Sequence, residues 1–284
     1  MRRTGPLAAA PVPSLLLVLP LVALALLTGC GSTAAPAAAP GAESPLPRYA
    51  SITELATAVS ARQKQDRTAT LTLTGGVAGQ PGTALSGQGA LRFDETGTSA
   101  RLSERVPTGG GPADVDLVAL PDAAYLKLPP SAGLPAGKSW LRVVPGGTDP
   151  VSQRFGPTLQ SMRESADPTR TIARYGDATT IVEAVEEPLD GVRSMRYRMR
   201  LDLVRAAASS TDPTTKANLE RTVRAGAATA EYTMWLDAQN HIERVLLNQS
   251  IPGNQGTFGL EIRMRDWGRP VDISPPPADQ VFQR

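Results

Sequence analysis

The sequence has few of the residues on which most catalytic and metal sites depend. Its 284 residues include a single cysteine, Cys30, and a single histidine, His241. One cysteine excludes an intramolecular disulfide framework and a multi-cysteine metal site, and one histidine excludes a His-rich zinc site. Aromatic residues make up only 4% of the chain, and the formal net charge is +2. A nucleic-acid binder needs a concentrated basic surface, so this charge balance argues against one.

Sequence motifs typical of enzymes are also missing. There is no Gly-x-Ser-x-Gly elbow, no phosphate-binding P-loop and no His-Glu-x-x-His. We therefore expect no enzymatic activity, no cofactor and no metal site. His241 directly follows a predicted turn, where we expect an exposed loop residue. The carboxylates Glu183, Glu186 and Glu187 could pair as acids and bases, but their placement around a strand favours a solvated edge.

The N-terminus has the layout of a secretory signal. A positive start at Met1-Arg2-Arg3 precedes an apolar stretch from about Leu7 to Leu27. Three prolines interrupt this stretch and no charged flank follows it, which argues against an uncleaved transmembrane helix. Its ending, Leu27-Thr28-Gly29-Cys30, resembles the lipobox of bacterial lipoproteins. That resemblance implies that Cys30 is diacylated and becomes the mature N-terminus.

Three regions follow from this interpretation. Residues 1–29 are the predicted lipoprotein signal peptide, residues 30–47 an Ala/Pro-rich tether, and residues 48–284 one domain. Two or more acyl chains hold a protein stably on a membrane. At roughly 3.1 Å per residue the tether could reach on the order of 50 Å. We expect a lipid-anchored protein on the extracytoplasmic face of the cell membrane.

The first element of the domain is a predicted helix. Ser51-Ile52-Thr53-Glu54 has the pattern of a capping box, and apolar residues at helical spacing continue to about Gln65. After it the period changes to two in Thr70–Thr74, which predicts a strand. Further strand-like runs are separated by Gly-rich or Pro-rich turns and lie near residues 89–93, 100–106, 115–120, 123–128 and 140–144.

The clearest alternation lies between Met195 and Leu203. Apolar side chains occupy one face of this segment, and Arg196, Arg198 and Arg200 occupy the other. A half-buried antiparallel strand requires this arrangement. The runs 232–236 and 260–264 repeat it, and turn residues at 237–240 predict a hairpin from 231 to 248.

Aspartate–proline pairs mark the remaining helices. Asp149-Pro150 and Asp167-Pro168 bracket a predicted helical region that extends to about Tyr175. Asp212-Pro213 starts another helix that ends near Gly226, with Leu219 and Val223 facing inward. Long antiparallel strands with few helices indicate an α+β domain. We expect a single strongly curved antiparallel sheet, a half-barrel, with helices covering its concave apolar face.

Several segments resemble the actinobacterial lipoproteins of the LppX/LprG type, which share a fold with the periplasmic carrier LolA. The segments that carry the resemblance, in this order behind the lipobox, are Tyr125–Pro129, Lys138–Leu141, Leu189–Val192, Tyr197–Met199, Trp235–Asp237, Ile242–Arg244, Trp267–Val271 and Pro275–Ala278. The resemblance implies a half-barrel that encloses an apolar cavity. It also implies an acylated lipid or glycolipid as ligand, and an envelope transporter as a possible partner.

Eight side chains on the predicted apolar faces are candidates to line such a cavity. They can equally form ordinary core, although methionine adapts well to irregular partners. A second function, a non-transport envelope lipoprotein acting as a sensor or protein-interaction module, stays open. A carrier predicts an apolar void with a mouth, whereas an interaction module predicts a packed interior and an exposed apolar patch. The eight candidates are Met195, Tyr197, Met199, Leu201, Met234, Leu236, Ile262 and Met264.

The three arginines of the alternating strand have two interpretations. They could bind a phosphorylated lipid headgroup or an acidic membrane surface. They could also form an outward sheet face that is balanced by acidic neighbours such as Asp202 and Glu261. We favour the balanced face.

Overall fold

The computed structural model describes residues 45–95, 97–108, 111–128, 134–144, 147–149, 152, 175–251 and 256–283. Cys30, the predicted signal peptide and most of the tether lie outside these residues, as does most of the helical region predicted between Asp149 and Tyr175. The helices are α1 (Ile52–Asp66), α2 (Leu203–Ser209) and α3 (Pro213–Arg224). The strands are β1 (Thr68–Val77), β2 (Gln80–Asp94), β3 (Gly97–Thr108), β4 (Gly111–Ala119), β5 (Ala124–Lys127), β6 (Trp140–Val143), β7 (Thr179–Glu186), β8 (Ser194–Asp202), β9 (Thr229–Asp237), β10 (Ile242–Ser250), β11 (Thr257–Arg265) and β12 (Val281–Phe282).

All twelve described strands form one curved, unclosed sheet. Their order is β12-β6-β5-β4-β3-β2-β1-β11-β10-β9-β8-β7, so β7 and β12 are the edges. Neighbours are antiparallel throughout except for the short β12, which runs parallel to β6. Strand β1 pairs with β2 on one side and with β11 on the other. This pairing joins two meanders, β1–β6 and β7–β11, into a single sheet, in agreement with the predicted antiparallel sheet.

Local capping fixes where α1 begins and ends. The Ser51 hydroxyl accepts the N–H of Glu54, and the Glu54 carboxylate accepts the N–H of Ala50. The first bond satisfies a donor that a helix start leaves unpaired, and the second ties the residue before the N-cap to the first turn. The helix ends at Asp66, and its C-cap Arg67 has a positive φ of 67°. The predicted start and end of this helix are therefore confirmed.

The predicted hairpin is confirmed in β9 and β10. The Asp237 carboxylate accepts the N–H groups of Gln239 and His241, and Asn240 adopts a φ of 67°. Asparagine tolerates this left-handed backbone conformation better than most residues. The turn therefore places the start of β10 beside the end of β9.

The helices after β8 differ in part from the sequence prediction. Leu203, expected to end a strand, begins α2, because the Asp202 carboxylate accepts the N–H of Arg205. The predicted helix at Asp212-Pro213 is confirmed as α3, capped by a bond from the N–H of Thr215 to Asp212. Acceptor side chains at both helix starts thus set where each helix begins.

The two faces of the sheet carry different cores. The face that we call the inner face carries one apolar cluster that also contains Leu55 and Val59 of α1 and Leu203 of α2. On the opposite, outer face a smaller cluster joins Val118 and Trp140 to Ile273 of the C-terminal segment. The inner cluster positions the candidate site.

Candidate functional site

The eight candidate side chains share the inner face. Each belongs to the main apolar cluster, and none is more than 8% exposed. The register pairs Met195 with Leu236 and Tyr197 with Met234 across β8 and β9. Leu71, on β1, pairs with Met264 of β11. These residues lie on the same face of the sheet, as the alternation predicts. Their contact with a ligand stays a prediction.

Sequence reasoning predicted the strand that lies between these groups, as the second strand of the hairpin, but named no candidate residue on it. Strand β10 separates β9 from β11 and contributes Val245 and Leu247 to the same cluster. Val245 pairs with Met234 on one side and with Ile262 on the other. The signal was present, because Val245 and Leu247 are two positions apart in a predicted strand. The inner face is therefore continuous across five strands, from β8 to β1.

The Tyr197 hydroxyl is a polar group at this apolar face. It accepts the N–H of Tyr49 at 3.0 Å and donates to the carbonyl of Pro47 at 3.1 Å. The rings of Tyr49 and Tyr197 stack with centroids 6.3 Å apart, and Leu46 is buried in the main cluster. Burial raises the pKa of Tyr197 to about 12. The segment from Leu46 to Tyr49 is thus packed against the candidate site, and its first two residues, predicted as the end of the tether, belong to the folded domain instead.

Helix α1 brings two further polar side chains into the buried region. Ser60 and Gln63 are 1% and 3% exposed and lie on the same helix face as Val59. The Ser60 hydroxyl oxygen and the Gln63 amide oxygen have no hydrogen-bond partner among the described residues. A buried polar atom without a partner is costly, so such atoms call for an explanation. They can bond a polar group of a ligand, a role that the sequence did not suggest.

An open groove of about 680 Å³ lies elsewhere, at the end of the β1–β2 hairpin. It is lined by Gly76 and Gly259, which are cross-strand partners, and by Asn248 and Glu261. The paired glycines leave these two positions of the sheet without side chains. None of the eight candidate residues lines the groove.

The expectation that His241 is an exposed loop residue is wrong. Only 15% of its side chain is exposed, and its ring stacks on Trp267 with centroids 5.3 Å apart. Its Nδ1 lies 2.7 Å from Asp237 Oδ2, and its Nε2 lies 2.8 Å from Asp66 Oδ2. The guanidinium of Arg62 holds Asp66 through two bonds of 2.6 and 2.7 Å, and its Nε also lies 2.8 Å from His241 Nε2.

This arrangement controls the charge of the histidine. Burial lowers the pKa of His241, but its hydrogen bonds to Asp237 and Asp66 outweigh burial, and the pKa is raised. Burial and the nearby charge of Asp237 raise the pKa of Glu243, which lies two residues farther along. The fold therefore brings together Asp237, His241 and Glu243, a constellation that sequence reasoning did not identify. The only sequence signal was their spacing around a predicted turn.

The arginine row lies on the outer face, as favoured, but its partners differ from those expected. Arg196 pairs with Glu183 and Glu187 at 3.1 and 2.7 Å, and Arg200 pairs with Glu231 at 3.4 Å. Asp202 instead caps α2, and Glu261 pairs with Arg244 and Arg263. The reason is the strand order, which places β7 and β9 on either side of β8 and β11 three strands away. The glutamates at the predicted solvated edge are thus ion-pair partners on and after edge strand β7.

Among the described residues, no helix combines the length and the apolar character that a membrane crossing requires.

Comparisons with known proteins find similarity in structure alone. No protein-family model and no curated protein matches the chain. The structure of LprF from Mycobacterium bovis is similar over 77% of this chain and 95% of its own, with 14% identity and a TM-score of 0.42. A LolA superfamily protein from Nitrosomonas europaea is similar over 76% of this chain and 94% of its own, with 6% identity and a TM-score of 0.29. At these TM-scores neither match assigns a function to the chain.

Proposed function

We propose that the chain is a membrane-anchored extracytoplasmic lipoprotein that binds or transfers an acylated lipid or glycolipid of the cell envelope. The observation that carries the proposal is the inner face of the sheet, which is one continuous apolar surface in a curved sheet that does not close. Four of the eight candidate side chains on it are methionines. Methionine repacks around irregular apolar partners at low cost.

The apolar character of this face is sufficient for an acyl chain. Burying about 400 Å² of apolar ligand surface offers roughly 10 kcal/mol before the costs of association. Binding of this kind needs no charged or catalytic side chain. The unpartnered oxygens of Ser60 and Gln63 support a ligand that also carries a hydrogen-bond donor, such as a hydroxyl or an amide group.

The ligand must enter between elements that are now in contact. The Leu46–Tyr49 segment is held at Tyr197 by two hydrogen bonds and a ring stack, without any side-chain ion pair of its own in the described structure. We propose that it moves aside when an acyl chain enters. Because this segment continues into the predicted tether, the membrane anchor and the ligand site would be neighbours in the chain.

One observation favours the second function, a sensor or protein-interaction module. The eight candidate side chains are packed so closely that at most 8% of any of them is exposed. A packed interior is what such a module predicts. It also predicts a large exposed apolar patch, yet the large apolar side chains exposed in the described ranges are three valines, Val182, Val192 and Val204. The lipid-binding proposal is therefore preferred.

Mass spectrometry of the whole chain, expressed in an actinobacterial host and extracted from membranes, tests both parts of the proposal. A denaturing spectrum reports lipid joined covalently at Cys30, and a native spectrum reports lipid held without a covalent bond. We expect a covalent diacyl modification that Cys30→Ala abolishes, and a native adduct that solvent delipidation removes. A native spectrum without adduct, together with failure to take up added lipids, would reject the carrier and favour the interaction module.

A matched pair of variants locates the adduct. Gln63→Leu removes a buried amide whose oxygen has no partner among the described residues, so we expect a folded protein that retains less of the native lipid adduct. Gln88→Leu makes the same change at an exposed position on β2 and should leave the adduct unchanged. Equal adduct in both variants would place the ligand away from α1.

A further inference from the structure

The turn between β9 and β10 gathers three side chains of metal-binding type. Asp237, His241 and Glu243 each offer one ligand atom, and these atoms lie within 4.8 Å of one another. Asp237 and His241 already approach to 2.7 Å through Oδ2 and Nδ1. A shift of register in β10 between Ile242 and Arg244 places Glu243 at a bulge. Bulges redirect side chains, and here the redirected carboxylate joins the other two groups.

The donor set has a definite metal preference. One imidazole nitrogen and two carboxylate oxygens suit a transition metal such as Zn²⁺, whereas Mg²⁺ and Ca²⁺ prefer oxygen ligands alone. Three protein ligands leave a fourth tetrahedral position for water.

The surroundings of His241 supply an independent argument. A metal-binding histidine usually donates its second ring N–H to a carboxylate, which fixes the orientation of the ring. In this chain Nε2 lies 2.8 Å from Asp66 Oδ2, and two bonds from Arg62 hold Asp66 in place. Trp267 stacks on the ring and restricts it further. Nδ1 is thus aimed at Asp237 by groups that lie far away in sequence.

The charges around Glu243 favour a cation. This half-buried carboxylate makes no hydrogen bond or ion pair to the described residues, and the negative charge of Asp237 acts on it. Asp190 adds to this repulsion, and Arg265 and His241 partly offset it. A divalent cation between Asp237 and Glu243 would neutralise both carboxylates.

We propose that Asp237, His241 and Glu243 form a Zn²⁺ site with Asp66 as the carboxylate that orients the histidine. The metal takes the place of the proton that Nδ1 shares with Asp237, and this proton leaves to solvent. Because Asp66 closes α1 and the three ligands belong to the β9–β10 hairpin, the bound ion also ties that helix to the sheet. The site is independent of lipid binding.

Zinc titration of the full chain tests the site. The protein carries Cys30→Ala, which removes the only thiol, and it has no polyhistidine tag. Detergent keeps the chain in solution. Calorimetry should show one Zn²⁺ per chain. His241 is the only histidine, so its Hε1–Cε1 cross-peak in an NMR spectrum reports the site without ambiguity. We expect this cross-peak to move and to stop moving at one equivalent. Zinc binding that leaves it unchanged would overturn the proposal.

Variants of the same protein separate the ligand from the orienting group. Glu243→Gln removes a ligand at a position without other described bonds, so we expect a folded protein whose zinc affinity falls by at least as much as in Asp66→Asn. For Asp66→Asn the expected loss is about 10–100-fold, typical of an orienting carboxylate. Glu231→Gln, on the neighbouring strand β9, is the matched control and should bind zinc as before. Equal affinity in Glu243→Gln and Glu231→Gln would exclude Glu243 as a ligand and overturn the site.

Discussion

The side chains on the two faces of β8 are stabilised by different interactions. Toward the inner face its side chains are Met195, Tyr197, Met199 and Leu201, all nearly fully buried. Toward the outer face its arginines pair with glutamates of β7 and β9. The inner face is stabilised by loss of water from apolar surface, and the outer face by partly exposed ion pairs that contribute little each. We therefore expect a charged substitution on the inner face of β8 to destabilise the fold strongly, and a substitution of an outer-face arginine to have little effect.

The outer face itself changes character along the sheet. At β8 it carries ion pairs, but at β4–β6 it carries an apolar cluster of Val118, Trp140 and Ile273. Ile273 belongs to the C-terminal segment, whose strand β12 pairs with β6 at that edge. At this end of the sheet the apolar outer surface is thus buried by another part of the chain that crosses it.

The largest loss in the free energy of unfolding is expected from a charged side chain on the inner face. Leu201→Arg places a cation where the native side chain is 6% exposed, and a buried charge without a partner is strongly destabilising. We expect the free energy of unfolding to fall by more than about 4 kcal/mol, or no folded protein. Urea denaturation followed by circular dichroism measures it. The neighbouring Arg200→Leu, on the outer face, should change it by less than about 1 kcal/mol; similar losses in both would show that the faces are not distinct.

A smaller loss in the free energy of unfolding is expected at the apolar cluster on the outer face of β4–β6. Ile273→Asp puts a carboxylate into the cluster with Val118 and Trp140, and we expect a loss of about 3 kcal/mol in the free energy of unfolding. Asp272→Asn, at the adjacent exposed position, is the control and should have little effect. Denaturant titration followed by circular dichroism measures the change in the free energy of unfolding. Unchanged stability in Ile273→Asp would mean that the C-terminal segment contributes no core.

The smallest change in the free energy of unfolding is expected from the Tyr197 hydroxyl on the inner face. The pKa of Tyr197 is raised to about 12 in the folded protein, whereas an unfolded tyrosine loses its proton near pH 10. The unfolded state therefore holds fewer protons in this range, and stability falls as the pH rises from about 10 to about 12. Tyr197→Phe should make this fall shallower.

At neutral pH the same variant should cost about 1–2 kcal/mol, because it removes both hydrogen bonds to the Leu46–Tyr49 segment. Part of the fall in stability at alkaline pH should remain in the variant, since burial also raises the pKa values of Tyr49 and Tyr232. Urea denaturation at a series of alkaline pH values compares the two proteins. Identical slopes would show that Tyr197 is not buried in its neutral form.

Local patterns predicted most of the elements. A period of two requires that alternate side chains share a face, so the facing of Met199 and Leu201 followed from their spacing alone. The starts of α1 and α3 followed from Ser51 and Asp212, because a cap acts within one helical turn. Where the sequence prediction was wrong at Leu203, a cap from Asp202 ended the alternation one residue early.

Contacts between distant segments could not be predicted in this way. His241 was expected to be exposed because its neighbours in sequence form a turn. Its burial comes from Asp66 and Trp267, which belong to other elements, Asp66 being 175 positions away. The glutamate partners of the arginine row likewise depend on strand order, which alternation within single strands does not contain.

The sequence by itself determined which side chains of each strand share a face, where the principal helices start and that the chain forms a largely antiparallel sheet. These properties depend on residues within one turn or one pleat of each other. The tertiary structure alone decided that β1 joins two meanders through β11, that the Leu46–Tyr49 segment packs at Tyr197, and that Asp237, His241 and Glu243 meet beside Asp66. Such contacts arise when the whole apolar inner face is buried at once, which fixes the order of strands and brings distant polar groups together.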